Sequence, residues 1–99
     1  MAKFIFKISY EINPEKREGY LALAKEMKQH LAGVKGKNYS IFEQKGRQNS
    51  FTEMFVCNSR EEYDQLEDDQ DEANSQLVAR LDEFLMNGKM QYSTLIELI

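Results

Sequence analysis

Residues 3–12 alternate. Phe4, Phe6, Ile8, Tyr10 and Ile12 fall on one side, with Lys3, Lys7, Ser9 and Glu11 on the other. That period of two is what a half-buried strand requires. Ile5 interrupts the polar side, so the second face is not wholly wet. The period then lengthens: Tyr20, Leu23, Ala24, Met27, Leu31 and Val34 recur at helical spacing and make one apolar stripe. Asn13-Pro14-Glu15 starts that helix. The Asn side chain accepts from a free backbone N–H, and proline at the first helical position gives up an N–H that has no partner there. Gly33 and Gly36 are placed to end it.

Tyr39 to Lys45 and Phe51 to Cys57 read as two more strands, joined as a hairpin through Gly46-Arg47-Gln48-Asn49-Ser50. Ser59-Arg60-Glu61-Glu62 is a capping box opening a second helical pattern. Tyr63 and Leu66 are followed by polar residues 67–72, and the pattern resumes with Ala73, Leu77, Val78, Leu81, Phe84 and Leu85 until Gly88. One unbroken helix over 60–86 would be about 40 Å long, longer than a small domain, so a break is expected near 67–71. Tyr92 to Ile99 alternates again as a last strand.

The order strand, helix, hairpin, helix, strand predicts an α+β domain over residues 1–99. It is a ferredoxin-like split βαββαβ arrangement, a four-stranded antiparallel sheet with the helices on one face. The other face mixes Lys7 and Glu11 with Ile5, Leu95 and Ile99. A partly apolar uncovered face suggests a partner sheet, hence a homodimer.

Composition narrows the function classes. The chain has 99 residues, 41% hydrophobic and 30% charged, with a formal net charge of -4. An acidic chain repels phosphate backbones and anionic membrane surfaces, so neither nucleic acid nor membrane is expected as a partner. Cys57 is the single cysteine and has no intramolecular disulfide partner. No apolar run suits a signal peptide or a membrane span. A cytoplasmic location is the expectation.

The strand–helix segment Phe51-Thr52-Glu53-Met54-Phe55-Val56-Cys57-Asn58-Ser59-Arg60-Glu61-Glu62-Tyr63 resembles the dimeric α+β barrel superfamily. The likeness is to the small antibiotic-biosynthesis-monooxygenase-like domains within it. Glu53, Phe55, Ser59, Glu62 and Tyr63 stand where that family commonly shows a strand Glu, an aromatic two residues on, a Ser, and a helix opening with acids and an aromatic. The resemblance implies a homodimer with facing sheets and a pocket for a small, flat, hydrophobic or aromatic ligand. Some such relatives oxidise aromatic polyketides with no metal or flavin, and others degrade haem. This chain has no tryptophan, and Phe55 stands where active branches often carry one. It also lacks the second-helix histidine with which haem-binding relatives hold iron. The departures speak against haem and weaken the monooxygenase reading.

His30 is the only histidine. It is either a general base, titrating near neutrality, or a partly exposed residue near a helix C-terminus. Glu53 sits mid-strand between Phe51 and Phe55. It is either a desolvated base or a surface carboxylate paired across strands with Lys7 or Lys45. Glu43 has the same two readings. Tyr10, Tyr39, Phe55 and Tyr92 join Glu43 as ligand-pocket candidates, their alternative being packing at a sheet face. Cys57 reads as a small buried hydrophobe. The acidic run from Glu61 to Glu72 lacks the central Gly of a calcium loop. With the basic set Lys35, Lys37, Lys45 and Arg47 it is expected to meet a complement within the dimer or to steer a partner. No P-loop, dinucleotide-binding glycine pattern, zinc-ligand pair or Ser/His/Asp set occurs. The expectation is therefore no cofactor and no metal.

Two readings follow. One is a small homodimeric α+β-barrel protein binding a hydrophobic or aromatic ligand in the barrel. The alternative is a cofactor-independent, monooxygenase-like oxidoreductase acting on a small aromatic substrate. An RNA-binding reading of the same topology is disfavoured by the acidic charge and by Glu53 in the third strand. An amino-acid-sensing regulatory module of this topology usually accompanies a catalytic domain.

Overall fold

The computed structural model describes residues 2–68 and 71–99. Its strands are β1 (Phe4–Glu11), β2 (Tyr39–Glu43), β3 (Ser50–Cys57) and β4 (Gln91–Ile96), and its helices α1 (Arg17–Lys28), α2 (Arg60–Asp68) and α3 (Glu72–Asp82). All pairings are antiparallel, in the order β2-β3-β1-β4, which is the ferredoxin-like arrangement. The last strand is shorter than its alternation suggested, and β2 stops at Glu43.

Register decides which side chains share a face. Phe4, Phe6, Ile8 and Tyr10 stand opposite Cys57, Phe55, Glu53 and Phe51. Tyr39 and Ile41 extend this face across β2, and Tyr92, Thr94 and Ile96 across β4. The helices pack on it. Tyr20, Leu23, Met27 and Leu31 descend from the α1 side, and Leu77 and Leu81 from α3, onto Tyr10, Tyr39 and Phe51. The opposite face carries Ile5 beside Val56 and Leu95, with Met54 and Phe42 nearby, and no helix among the described residues covers it. Phe42 is 52% exposed there.

Asn13 opens the first helical segment as its side chain predicts, accepting from Glu15 N–H at 3.0 Å. After α1 the chain widens into a π-helical turn, Gln29–Val34. It stops at Gly36, whose φ of 68° suits glycine. Gly33 lies inside the turn and ends nothing. The second helical stretch divides as expected: α2 stops at Asp68 and α3 starts at Glu72. Residues 69 and 70 of the expected break lie outside the described residues. Asp71 is extended and caps α3, accepting from Asn74 N–H at 2.7 Å. The capping box at Ser59 forms, with Glu62 N–H donating to the Ser59 hydroxyl at 3.2 Å and Glu62 accepting from Asn58 N–H at 2.8 Å.

α3 ends before Gly88, the expected stop. Asn13 N–H takes Phe84 O at 2.8 Å and Met86 N–H takes Glu11 O at 2.9 Å. These bonds draw the chain off the helix and onto the end of β1. No described helix is long and apolar enough to cross a membrane.

Asp71 also holds His30 and Lys35, each at 3.3 Å. One member of the basic set, Lys35, thus meets one member of the acidic run within the chain, while Arg47 pairs with Glu11, outside that run. The Asn74 amide, with Lys35 and His30, holds the Asp71 carboxyl below its ordinary range. Its stabilising effect is present above the unfolded carboxyl's pKa and is lost as pH falls through the folded one. Asp71→Ala is expected to lower the urea midpoint at neutral pH and to flatten the loss of stability on acidification. Both are read from urea melts across the acid range.

Candidate functional site

The buried face of β3 places one carboxyl in the core. Glu53 is only 4% exposed. Its register partners are Ile8 on one side and Ile41 on the other. Tyr39 donates its hydroxyl to Glu53 Oε1 at 2.6 Å, and Tyr10 and Tyr20 join hydroxyls at 2.7 Å. All three tyrosines are buried. Among the described residues Glu53 Oε2 has no hydrogen-bond partner. Burial raises the Glu53 pKa, and the Tyr39 and Tyr10 hydroxyls oppose that only in part. The phenols are pushed up as well, first by burial; the nearby carboxyl adds to this at all three. A carboxyl in this setting favours its neutral form, so it can give up a proton and, once ionised, takes one back more strongly than an exposed carboxylate.

One row along the sheet lies an aromatic shelf. Phe4 stacks on Tyr63 of α2 with centroids 5.4 Å apart, and Phe6 meets Tyr63 at 6.4 Å, Phe55 at 6.3 Å and Tyr92 at 6.1 Å. Tyr63 and Thr94 join hydroxyls at 2.8 Å. The shelf is open at its β4 end, where Tyr92 is 62% exposed. Phe55 links the two groups, its ring 4.7 Å from that of Tyr39.

Of the residues singled out from sequence, Tyr10, Tyr39, Glu53 and Phe55 therefore come together, and Tyr92 lies at the shelf's open end. The surface reading of Glu53 is overturned: it points toward the helices, while Lys7 lies on the other face. Glu43 stands apart. Arg17 grips it with two bonds of 2.6 and 2.9 Å, and with the Asn49 amide holds its pKa down to about 2. It is a strand clamp rather than a base. His30 bonds to Asp71 and shares no hydrogen bond with the Glu53 cluster. Cys57 is buried, and burial, helped by Glu62, raises its pKa. That setting suits a packing residue rather than a nucleophile. Tyr20 escaped the sequence reading because it fits the apolar stripe. The signal was its hydroxyl, which needs a partner wherever that stripe is buried. Phe6 and Tyr63 were legible as strand and helix positions, but their meeting depends on where α2 crosses the sheet. Among the described residues no cluster of three or more His, Cys, Asp or Glu could hold a metal ion.

No family sequence profile and no curated sequence matches the chain. Solved structures do. A conserved protein of unknown function from Bacteroides thetaiotaomicron, described as a possible oxidoreductase, superposes with a TM-score of 0.74 at 18% identity, covering 97% of this chain and 98% of that one. An antibiotic biosynthesis monooxygenase gives 0.69 at 17% identity, covering 100% and 98%. SnoaB from Streptomyces nogalater, a cofactor-independent oxygenase, gives 0.70 at 8% identity, covering 94% and 90%. The chain has the ferredoxin-like α+β fold of the antibiotic-biosynthesis-monooxygenase-like domains.

Proposed function

We propose that the chain acts as a homodimeric α+β barrel that binds a small, flat aromatic ligand on the Phe6–Phe55–Tyr63–Tyr92 shelf. One observation carries this: a run of mutually packed rings, half open, lies one sheet row from a buried carboxyl whose Oε2 lacks a partner. Rings supply area and stacking for a flat ligand, and a hydroxyl on it would find the polar group behind Phe55. The helix-free sheet face, with Ile5, Val56 and Leu95 in one row, supports a second copy covering it. The single buried thiol fits a reducing compartment such as the cytoplasm.

Light scattering and thermal-shift titration test both halves. A dimer stabilised by planar phenols is expected. Tyr63→Ala, which removes one stacking ring, is expected to weaken binding by about 2–10-fold. A monomer, or a dimer indifferent to planar aromatics, would refute the proposal.

The second reading, a cofactor-independent oxygenase, is favoured by Glu53 itself. As a base it would take the proton of an activated phenol and leave an electron-rich anion for dioxygen. Oxygen uptake with a bound phenol, abolished in Glu53→Gln while binding persists, would establish it. Binding without uptake leaves the first reading.

A further inference from the structure

A second concavity, an open groove of about 790 Å³, lies away from the shelf, between α1 and the edge strand β2. Small-molecule sites span roughly 300–1,000 Å³. Leu21, Ala24 and Ile41 give it an accessible apolar lining, over the buried rings of Tyr20 and Phe51. Both ends are fixed. At one, Arg17 grips Glu43 and lies over the Phe51 ring, 5.6 Å from its centroid. At the other, Lys28 donates to Tyr39 O at 2.5 Å and reaches Ser40 Oγ at 3.5 Å. Helical spacing puts Lys25 and Lys28 on the same rim.

The charge balance here is one-sided. Glu43, the carboxylate lining the groove, is taken by Arg17. Lys28 bonds only to uncharged oxygens, and Lys25 has no carboxylate partner among the described residues. Two uncompensated cations therefore border an apolar trough in a chain whose net charge is -4. We infer that this groove is a binding site for a small apolar monocarboxylate, its ring or chain on Leu21, Ala24 and Ile41 and its carboxylate between Lys25 and Lys28. The carboxylate supplies what the cations lack, and a charge-assisted hydrogen bond is stronger than a neutral one. This site is independent of the shelf.

The test uses naphthalene-2-carboxylate and its neutral counterpart naphthalene-2-methanol, followed by amide NMR shifts on the full chain. The carboxylate is expected to bind about tenfold tighter than the alcohol, with shifts centred on Ala24 and Ile41. Lys25→Glu should erase that preference without altering the fold, since Lys25 makes no ion pair among the described residues. Ala24→Phe should block both probes. Equal affinity for acid and alcohol, shifts confined to Phe6, Tyr63 and Tyr92, or no saturable binding would each overturn the assignment. Groove resonances that move with protein concentration but not with the carboxylate would give the groove to a second copy, and would overturn it equally.

Discussion

Replacing Glu53 with glutamine is expected to make the protein more stable at neutral pH, by about 1–3 kcal/mol. Glutamine keeps a carbonyl oxygen for the Tyr39 hydroxyl, whose bond to Glu53 is 2.6 Å in the native chain. It removes the charge that burial disfavours and replaces the unpartnered Oε2 with an uncharged amide. The pH dependence follows from the raised pKa. Between the unfolded and folded pKa values the folded chain holds a proton that the unfolded chain has released. Native stability is therefore greatest below the unfolded value and declines as pH rises through the folded one. Glu53→Gln should remove that decline, so the two proteins converge at acid pH and separate toward neutrality. Thermal melts across the pH range read it, and for a domain of this size each 1 kcal/mol moves the midpoint by about 4–8 °C. Parallel melting curves at every pH would mean that Glu53 is solvated.

Leu23→Ala should be the more damaging change, destabilising by about 2–5 kcal/mol. Leu23 is fully buried at 0% exposure, between Tyr20 and Met27 on the face of α1 that meets the sheet. Its neighbours include ring systems already in contact, such as Tyr20 on Phe51 at 4.4 Å. Rings held on both sides collapse poorly into a void, which favours the upper part of that range. Domains of this kind have only about 5–15 kcal/mol in total, so the loss should be plain in the urea midpoint. A loss under about 1 kcal/mol, the range of well-tolerated core swaps, would show that α1 does not pack as described.

The fold was readable because its periods are clean. The alternation from Phe4 to Ile12, the Asn13-Pro14 start and the Ser59 capping box each specify local geometry through one mechanism, and all three appear. The split near residue 70 followed from length alone. Helix ends were less legible. Gly88 looked like a stop, but tertiary bonds from Asn13 and to Glu11 end α3 first. The site was half legible. On β3 both faces are largely apolar, Phe51, Phe55 and Cys57 against Met54 and Val56, so alternation does not say which way Glu53 points. Only the pairing of Ile8 with Glu53 settles it. His30 was read without a partner because Asp71 lies far along the chain and is brought near by the α1–α3 packing.

The strand order also bears on how the chain is made. β1 sits inside the sheet, but one of its two neighbours is β4, the last strand to be synthesised. Until residue 96 has been made, β1 has a bare edge holding Phe4, Phe6 and Ile8, open to pairing with other nascent chains. Completing the sheet is thus a late, long-range event, the kind of closure that slows folding and leaves intermediates prone to association. On this topology a truncation before Gln91 would remove one edge strand and turn β1 into another, baring a strand that the full chain keeps paired on both sides.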